Sequence, residues 1–213
     1  DKNAEENPIN STVLAANQSA TPVLLKKHAG FEKLELFSLI TSDDVLAGSP
    51  GFVFGGSADG SGLLKNEDKT FTFLVNHEDN FAVSRVTLDK TFKPVKGEYL
   101  LNSKGGTWRL CGATMATPEE HGFGPVYLTS GESGEESRTH ALNPYGDVGA
   151  ASVSKELASF GRLSAENALP LRKTAYNGKT VVVIGDDDSG TNGGQVFMYV
   201  ADEQGDLING SLY

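Results

Sequence analysis

The apolar positions of this chain fall into short β-branched or aromatic runs separated by glycine- and asparagine-rich turns. Phe71–Asn76 (FTFLVN), Phe81–Asp89 (FAVSRVTLD) and Val126–Thr129 each read as a strand, as does Leu34–Ile40. Phe52–Phe54 is a shorter run that leads into a glycine-rich stretch, residues 55–62. Thr180–Ile184 and Gln195–Val200 (QVFMYV) predict an antiparallel pair. Their connection, Gly185–Gly194, is longer than a tight hairpin needs. Only Ser152–Arg162 carries a helical period, with Val153, Leu157 and Phe160 on one face and Gly161 near its end. The pattern predicts a mainly β fold of short antiparallel strands with little helix: a sandwich, a barrel, or a β-propeller or part of one. Residues 1–22 read as a polar tail, in which Asn10-Ser11-Thr12 matches a glycosylation acceptor. Residues 23–213 read as the folded domain.

Charge narrows the function classes. The 213 residues carry a formal net charge of −10 and a sequence pI near 4.8. Bulk attraction to nucleic-acid phosphates or anionic lipid is therefore not expected. The longest apolar runs, such as Val196–Ala201, are too short for a transmembrane helix. One cysteine, Cys111, rules out an intrachain disulfide framework.

The chemistry-bearing residues cluster where strands give way to loops. The run Val181–Ile184 discharges into Asp186, Asp187 and Asp188. Three adjacent carboxylates repel one another, which a hard cation would relieve; a solvated turn is the plain alternative. Asn76, His77, Glu78, Asp79 and Asn80 follow the Phe71 strand and read either as a site held on rigid scaffold or as a turn. Cys111 reads as a small buried hydrophobe or as a thiolate ligand to a transition metal. Glu132 lies just beyond the Val126 strand, and Arg162 and Glu166 follow the expected helix. Arg162 offers a planar fork suited to phosphate. Phosphate-loop, nucleophile-elbow, HExxH and dinucleotide motifs are absent from the sequence.

In order along the chain, these segments resemble the PhoX-type alkaline phosphatases, secreted bacterial enzymes of a β-propeller fold. The resemblance runs through Val75-Asn76-His77-Glu78, Cys111-Gly112, Thr117-Pro118 and Tyr127-Leu128-Thr129 with Glu132. It continues through Gly161-Arg162-Leu163-Ser164-Ala165-Glu166 and Gly185-Asp186-Asp187, followed by Phe197-Met198-Tyr199. It implies metal-dependent hydrolysis of small phosphate monoesters at a calcium and iron centre. The metal ligands it implies are Glu78, Cys111, Glu132, Glu166, Asp186 and Asp187, with Asn76 and Arg162 toward substrate. Ser130, Gly131 and Ala165 stand where the family has a cysteine, a glutamate and a histidine. Glu119-Glu120-His121-Gly122 is an insertion. Secretion, to the periplasm or the cell surface, is the expected location. Family members are longer, so the expectation is an incomplete propeller-like domain, completed by another segment or a second chain. The competing expectation is a non-catalytic extracellular protein that keeps calcium in the same loops. A related propeller esterase or lactonase is a third.

Overall fold

A computed structural model describes residues 14, 16–103, 107–132, 137–148, 155–188 and 190–213. Among the described residues, twelve strands form three antiparallel sheets, each a simple meander of four neighbouring strands. The first sheet is β1 (Ala58–Lys65), β2 (Phe71–His77), β3 (Ala82–Leu88) and β4 (Pro94–Leu101). The second is β5 (Leu110–Ala116), β6 (Val126–Gly131), β7 (Thr139–Leu142) and β8 (Lys155–Glu156). The third is β9 (Ala165–Pro170), β10 (Val181–Asp186), β11 (Val196–Ala201) and β12 (Gly210–Leu212). Among the described residues the sheets close into neither a barrel nor a ring of blades.

The expected strands at Phe71, Phe81, Val126, Thr180 and Gln195 are all present, and the last two pair antiparallel, Val183 opposite Met198. Two readings are corrected. Residues 155–162 form no α-helix: β8 pairs with β7, and a single 3-10 turn spans Ala158–Phe160. Leu157 and Phe160 are buried against the third sheet, so their apolar spacing reflects packing of an irregular segment. Residues 152–154 lie outside the described set. Leu34–Ile40 is irregular too, although Leu39 and Ile40 pack on the first sheet. Of the expected tail, residues 1–13 and 15 lie outside the described set. Gln18 N and Ala20 N donate to Ser38 O and Asp44 Oδ1, which anchors its end.

The sheets stack in chain order, with β1 packed on β5 and β5 on β9. Alternation along each strand assigns two faces. In β2, Leu74 faces the second sheet with Val83, Leu101, Leu110 and Tyr127, while Phe71 and Val75 face the other way. That outward face is covered by Leu46, Phe52 and Phe54 from the preceding segment. Leu128 and Ala141 of the second sheet meet Ala168, Val182, Ile184 and Tyr199 of the third.

Glycine sets how closely the first strands approach. A Cβ on Gly60 of β1 would collide with the backbone of Cys111–Ala113 in β5. A Cβ on Gly112 of β5 would collide with Glu166 O of β9. With hydrogens as the only side chains there, three strands come into backbone contact.

Asn76 locks this arrangement. It is fully buried, and its amide nitrogen donates to Cys111 O and, at 3.4 Å, to Gly112 O. Its carbonyl oxygen accepts from Tyr127 Oη at 2.9 Å and Thr129 Oγ1 at 3.0 Å. One side chain thus ties β2 to β5 and β6, with its hydrogen-bonding capacity spent inside the protein. Asn76→Ala strands buried partners and opens a cavity; a loss of about 3 kcal/mol in stability is expected. A denaturant midpoint unchanged by this substitution would contradict the role.

Candidate metal centre

The mouths of the three sheets carry the acidic residues. Glu78 opens a 3-10 turn, Glu78–Asn80, directly after β2, closed by Phe81 in the left-handed region at φ 52°. Asp59 lies in β1 beside Gly60, and Cys111 lies in β5 beside Gly112. Glu132 follows β6, and Glu166 sits near the start of β9. The glycine contacts between β1, β5 and β9 draw these ends together.

Two ligand sets result, and they share one thiol. Asp59, Glu78 and Cys111 each place a donor atom within 4.8 Å of the others, and so do Cys111, Glu132 and Glu166. Cys111 is buried, Glu78, Glu132 and Glu166 are half-buried, and Asp59 is exposed. The sets therefore open from a buried sulfur toward solvent. Four of the expected ligands, Glu78, Cys111, Glu132 and Glu166, are brought together here. Asp59 is an addition that sequence reading missed. Its signal, an acid directly before a glycine in a glycine-rich run, is that of an ordinary turn.

The other expected residues stand differently. Asp186 ends β10 and Asp187 follows it; neither belongs to the two sets, although the charge of Asp187 reaches Glu166. Asp187 N donates to Ser164 O, tying the acidic loop to the start of β9. Asp188 accepts from Gly190 N in a surface turn. Asn76 presents no free polar atom toward a substrate, because it is the clamp described above. His77 points to the opposite face, between Phe54 and Tyr99, with Nε2 2.8 Å from Ser84 Oγ. Arg162 is exposed in the turn after the 3-10 segment.

The cluster holds more negative charge than the protein neutralises. Arg109 donates from Nε and Nη2 to Glu78 Oε1 at 2.8 and 2.5 Å. It reaches Asp79 and Glu132 only at 3.8 Å. Burial pushes the Cys111 thiol far above its ordinary range, reinforced by its hydrogen bond to Glu132 and by the charges of Glu132, Glu78 and Asp59. Burial likewise raises Glu166, with Asp59, Glu132, Asp187 and Glu78 adding to it. Glu132 is raised by burial and by Glu78, against the lowering effect of its bond to Cys111. A cation bound here would relieve the repulsion among these carboxylates, at the cost of displacing the proton that Cys111 holds. The carboxylates suit a hard cation such as calcium, and the sulfur suits iron or another transition metal.

Neither family models nor curated proteins match this chain.

The raised carboxyls set a sign for stability. Between the ordinary carboxylate pKa and its raised folded value, Glu166 binds more proton in the folded state, so its contribution to stability falls as pH rises. With chelator present, Glu166→Gln is expected to melt at the same temperature as the wild type near about pH 4 and above it at neutrality. Thermal melts that show the opposite order at neutral pH would remove the repulsion argument.

Proposed function

We propose that this chain is a secreted, metal-dependent phosphomonoesterase of the PhoX type, acting on small phosphate esters with calcium and iron. In this reading the three sheets are successive blades of a β-propeller. The observation that carries it is the buried thiol of Cys111 shared by two carboxylate sets. A purely structural calcium site has no use for sulfur. The order of the motifs along the chain supports the same reading.

Glu78, Glu132 and Glu166 would hold calcium with Asp59, and Cys111 would hold iron. Bound cations would supply Lewis-acid neutralisation of the phosphoryl oxygens. The protein's own part is positional. Asn76 fixes the Cys111 carbonyl and hence the strand that carries the sulfur. Arg109 orients Glu78 through two hydrogen bonds to one oxygen. Arg162, exposed a few residues before Glu166, would grip the phosphate as a planar fork. Asp186 and Asp187 would act through charge at the rim.

A specific observation favours the second reading, a non-catalytic calcium-binding β protein. Ser130 and Ala165 are buried small residues, and Ser130 Oγ is already bonded to Thr139 Oγ1 at 3.1 Å. With Gly131, they bring no charged or imidazole ligand to the centre. Elemental analysis of protein purified without chelator, together with p-nitrophenyl phosphate turnover, separates the two. Iron and calcium with turnover, both iron and turnover falling about a hundredfold in Cys111→Ser, are expected. Calcium without iron or turnover selects the structural protein, and neither metal overturns both readings.

A further inference from the structure

The insertion Glu119-Glu120-His121-Gly122 lies in the connection between β5 and β6. Antiparallel pairing sets that connection, like the one between β9 and β10, at the end of the strands remote from the acidic cluster. Cys111, Glu132, Glu166 and Asp186 occupy the other ends.

His121 folds the insertion into a single turn. Its backbone N–H donates to Thr117 O at 2.8 Å, and Gly122 N donates to Pro118 O at 3.2 Å. Gly122 then leaves the turn at φ 82°, a conformation natural to glycine. The imidazole closes back on the same turn, with Nδ1 accepting from Thr117 N at 3.1 Å. A backbone N–H only donates, so Nδ1 presents a lone pair and the ring is the neutral tautomer protonated at Nε2. His121 is 7% exposed and meets Phe123 edge-on, ring centroids 6.3 Å apart.

The third sheet grips this turn by its carbonyls. Lys173 N donates to Glu120 O at 3.0 Å, and Lys173 Nζ donates to Pro118 O at 3.2 Å. Arg172 Nε pairs with Glu120 Oε1 at 3.2 Å, but both side chains are exposed and the pair is screened. From the other side Gln204, in the connection from β11 to β12, stands where a Cβ on Gly122 would project. The carbonyls that Lys173 reads are therefore held in place by the ring of His121.

We propose that this is a pH-sensitive latch between the second and third sheets: a proton on His121 Nδ1 faces the Thr117 N–H donor to donor, opens the turn and frees the β9–β10 connection. The charged groups around the ring are Glu119 and Glu120 of its own turn, and Arg172 and Lys173 of the β9–β10 connection; Gln204 is neutral. Burial lowers the proton affinity of His121; the attraction of Glu120 works against this and the repulsion of Arg172 adds to it. The open turn returns the imidazole to its ordinary value of 6.5, so it binds more proton than the closed one. The latch is fully stable above that value and weakens as pH falls through the lowered one. It needs no cation and stands apart from the phosphatase reading.

Hydrogen exchange of the whole chain between about pH 5 and pH 8, corrected for the intrinsic rate at each pH, tests the latch. Protection of the Thr117 and Lys173 amides is expected to fall together, about tenfold per pH unit below the ordinary value until the closed form is protonated too. Ala201 N, bonded to Thr180 O within the third sheet, is expected to stay protected. In His121→Gln the carboxamide oxygen still accepts from Thr117 without titrating, so protection is expected to be flat with pH. His121→Ala is expected to expose both amides at every pH; should it fail to fold, His121→Gln and the wild-type titration decide. Protection independent of pH in the wild type, or the same pH dependence in His121→Gln, would overturn the proposal. So would loss at Thr117 without loss at Lys173, parallel loss at Ala201, or full protection in His121→Ala.

Discussion

The backbone contact between β1, β5 and β9 is the constraint on which the rest of the molecule depends. Neighbouring sheets ordinarily keep about 10 Å between their mean planes to accommodate side chains. Gly60 and Gly112 remove the side chain at the two points where the first strands cross, and nothing larger fits there. Each of these glycines directly follows a candidate ligand, Asp59 and Cys111, and the second meets the backbone of Glu166 itself. The positions that are thinnest in packing are thus adjacent to those richest in donors. Strand propensity is given up at Gly60 and Gly112 so that three chain segments can share one small volume.

That proximity is held by neutral interactions and opposed by charged ones. Asn76, Tyr127 and Thr129 form a buried network with carbonyl partners on β1 and β5, and none of these groups ionises near neutral pH. Against it work the carboxylates of Asp59, Glu78, Glu132 and Glu166, offset in part by the guanidinium of Arg109. Because Arg109 is half-exposed, its pairing with Glu78 is screened and contributes modestly. Burial, and after it the neighbouring negative charges, raises the proton affinity of Cys111, Glu132 and Glu166.

Much of the strand pattern was legible because burial selects β-branched and aromatic residues: FTFLVN, TVVVI and QVFMYV announce themselves. The first strands of the sheets were not legible, and for one physical reason. Ala58–Lys65 and Leu110–Ala116 are built for close approach, so glycine and alanine replace the residues that signal a strand. The helical reading of 152–162 failed because the spacing of Leu157 and Phe160 is equally satisfied by a short strand and a 3-10 turn packed on the third sheet. Within the site, Glu78, Cys111, Glu132 and Glu166 were named through the resemblance of the motifs that carry them, not from spacing or periodicity. Asp59 was not, because its partners are distant in sequence and its own context is that of a turn. Asn76, expected toward substrate, is turned into the packing between sheets, since alternation along β2 sends it to Cys111 and sends His77 to the opposite face.

The division between neutral scaffold and charged site decides how a cation would couple to folding. In small metal domains the ligands have no other reason to converge, so removing the metal removes the fold. Here convergence is already specified by glycine contacts, the Asn76 clamp and three apolar clusters, all of which are complete without a cation. A bound cation would relieve repulsion among residues already in place, and its binding energy would not be spent on ordering the chain. The centre is therefore preorganised, with affinity governed by charge and by the proton that Cys111 must release. Loss of a cation would soften the mouths of the sheets and leave their stacking intact.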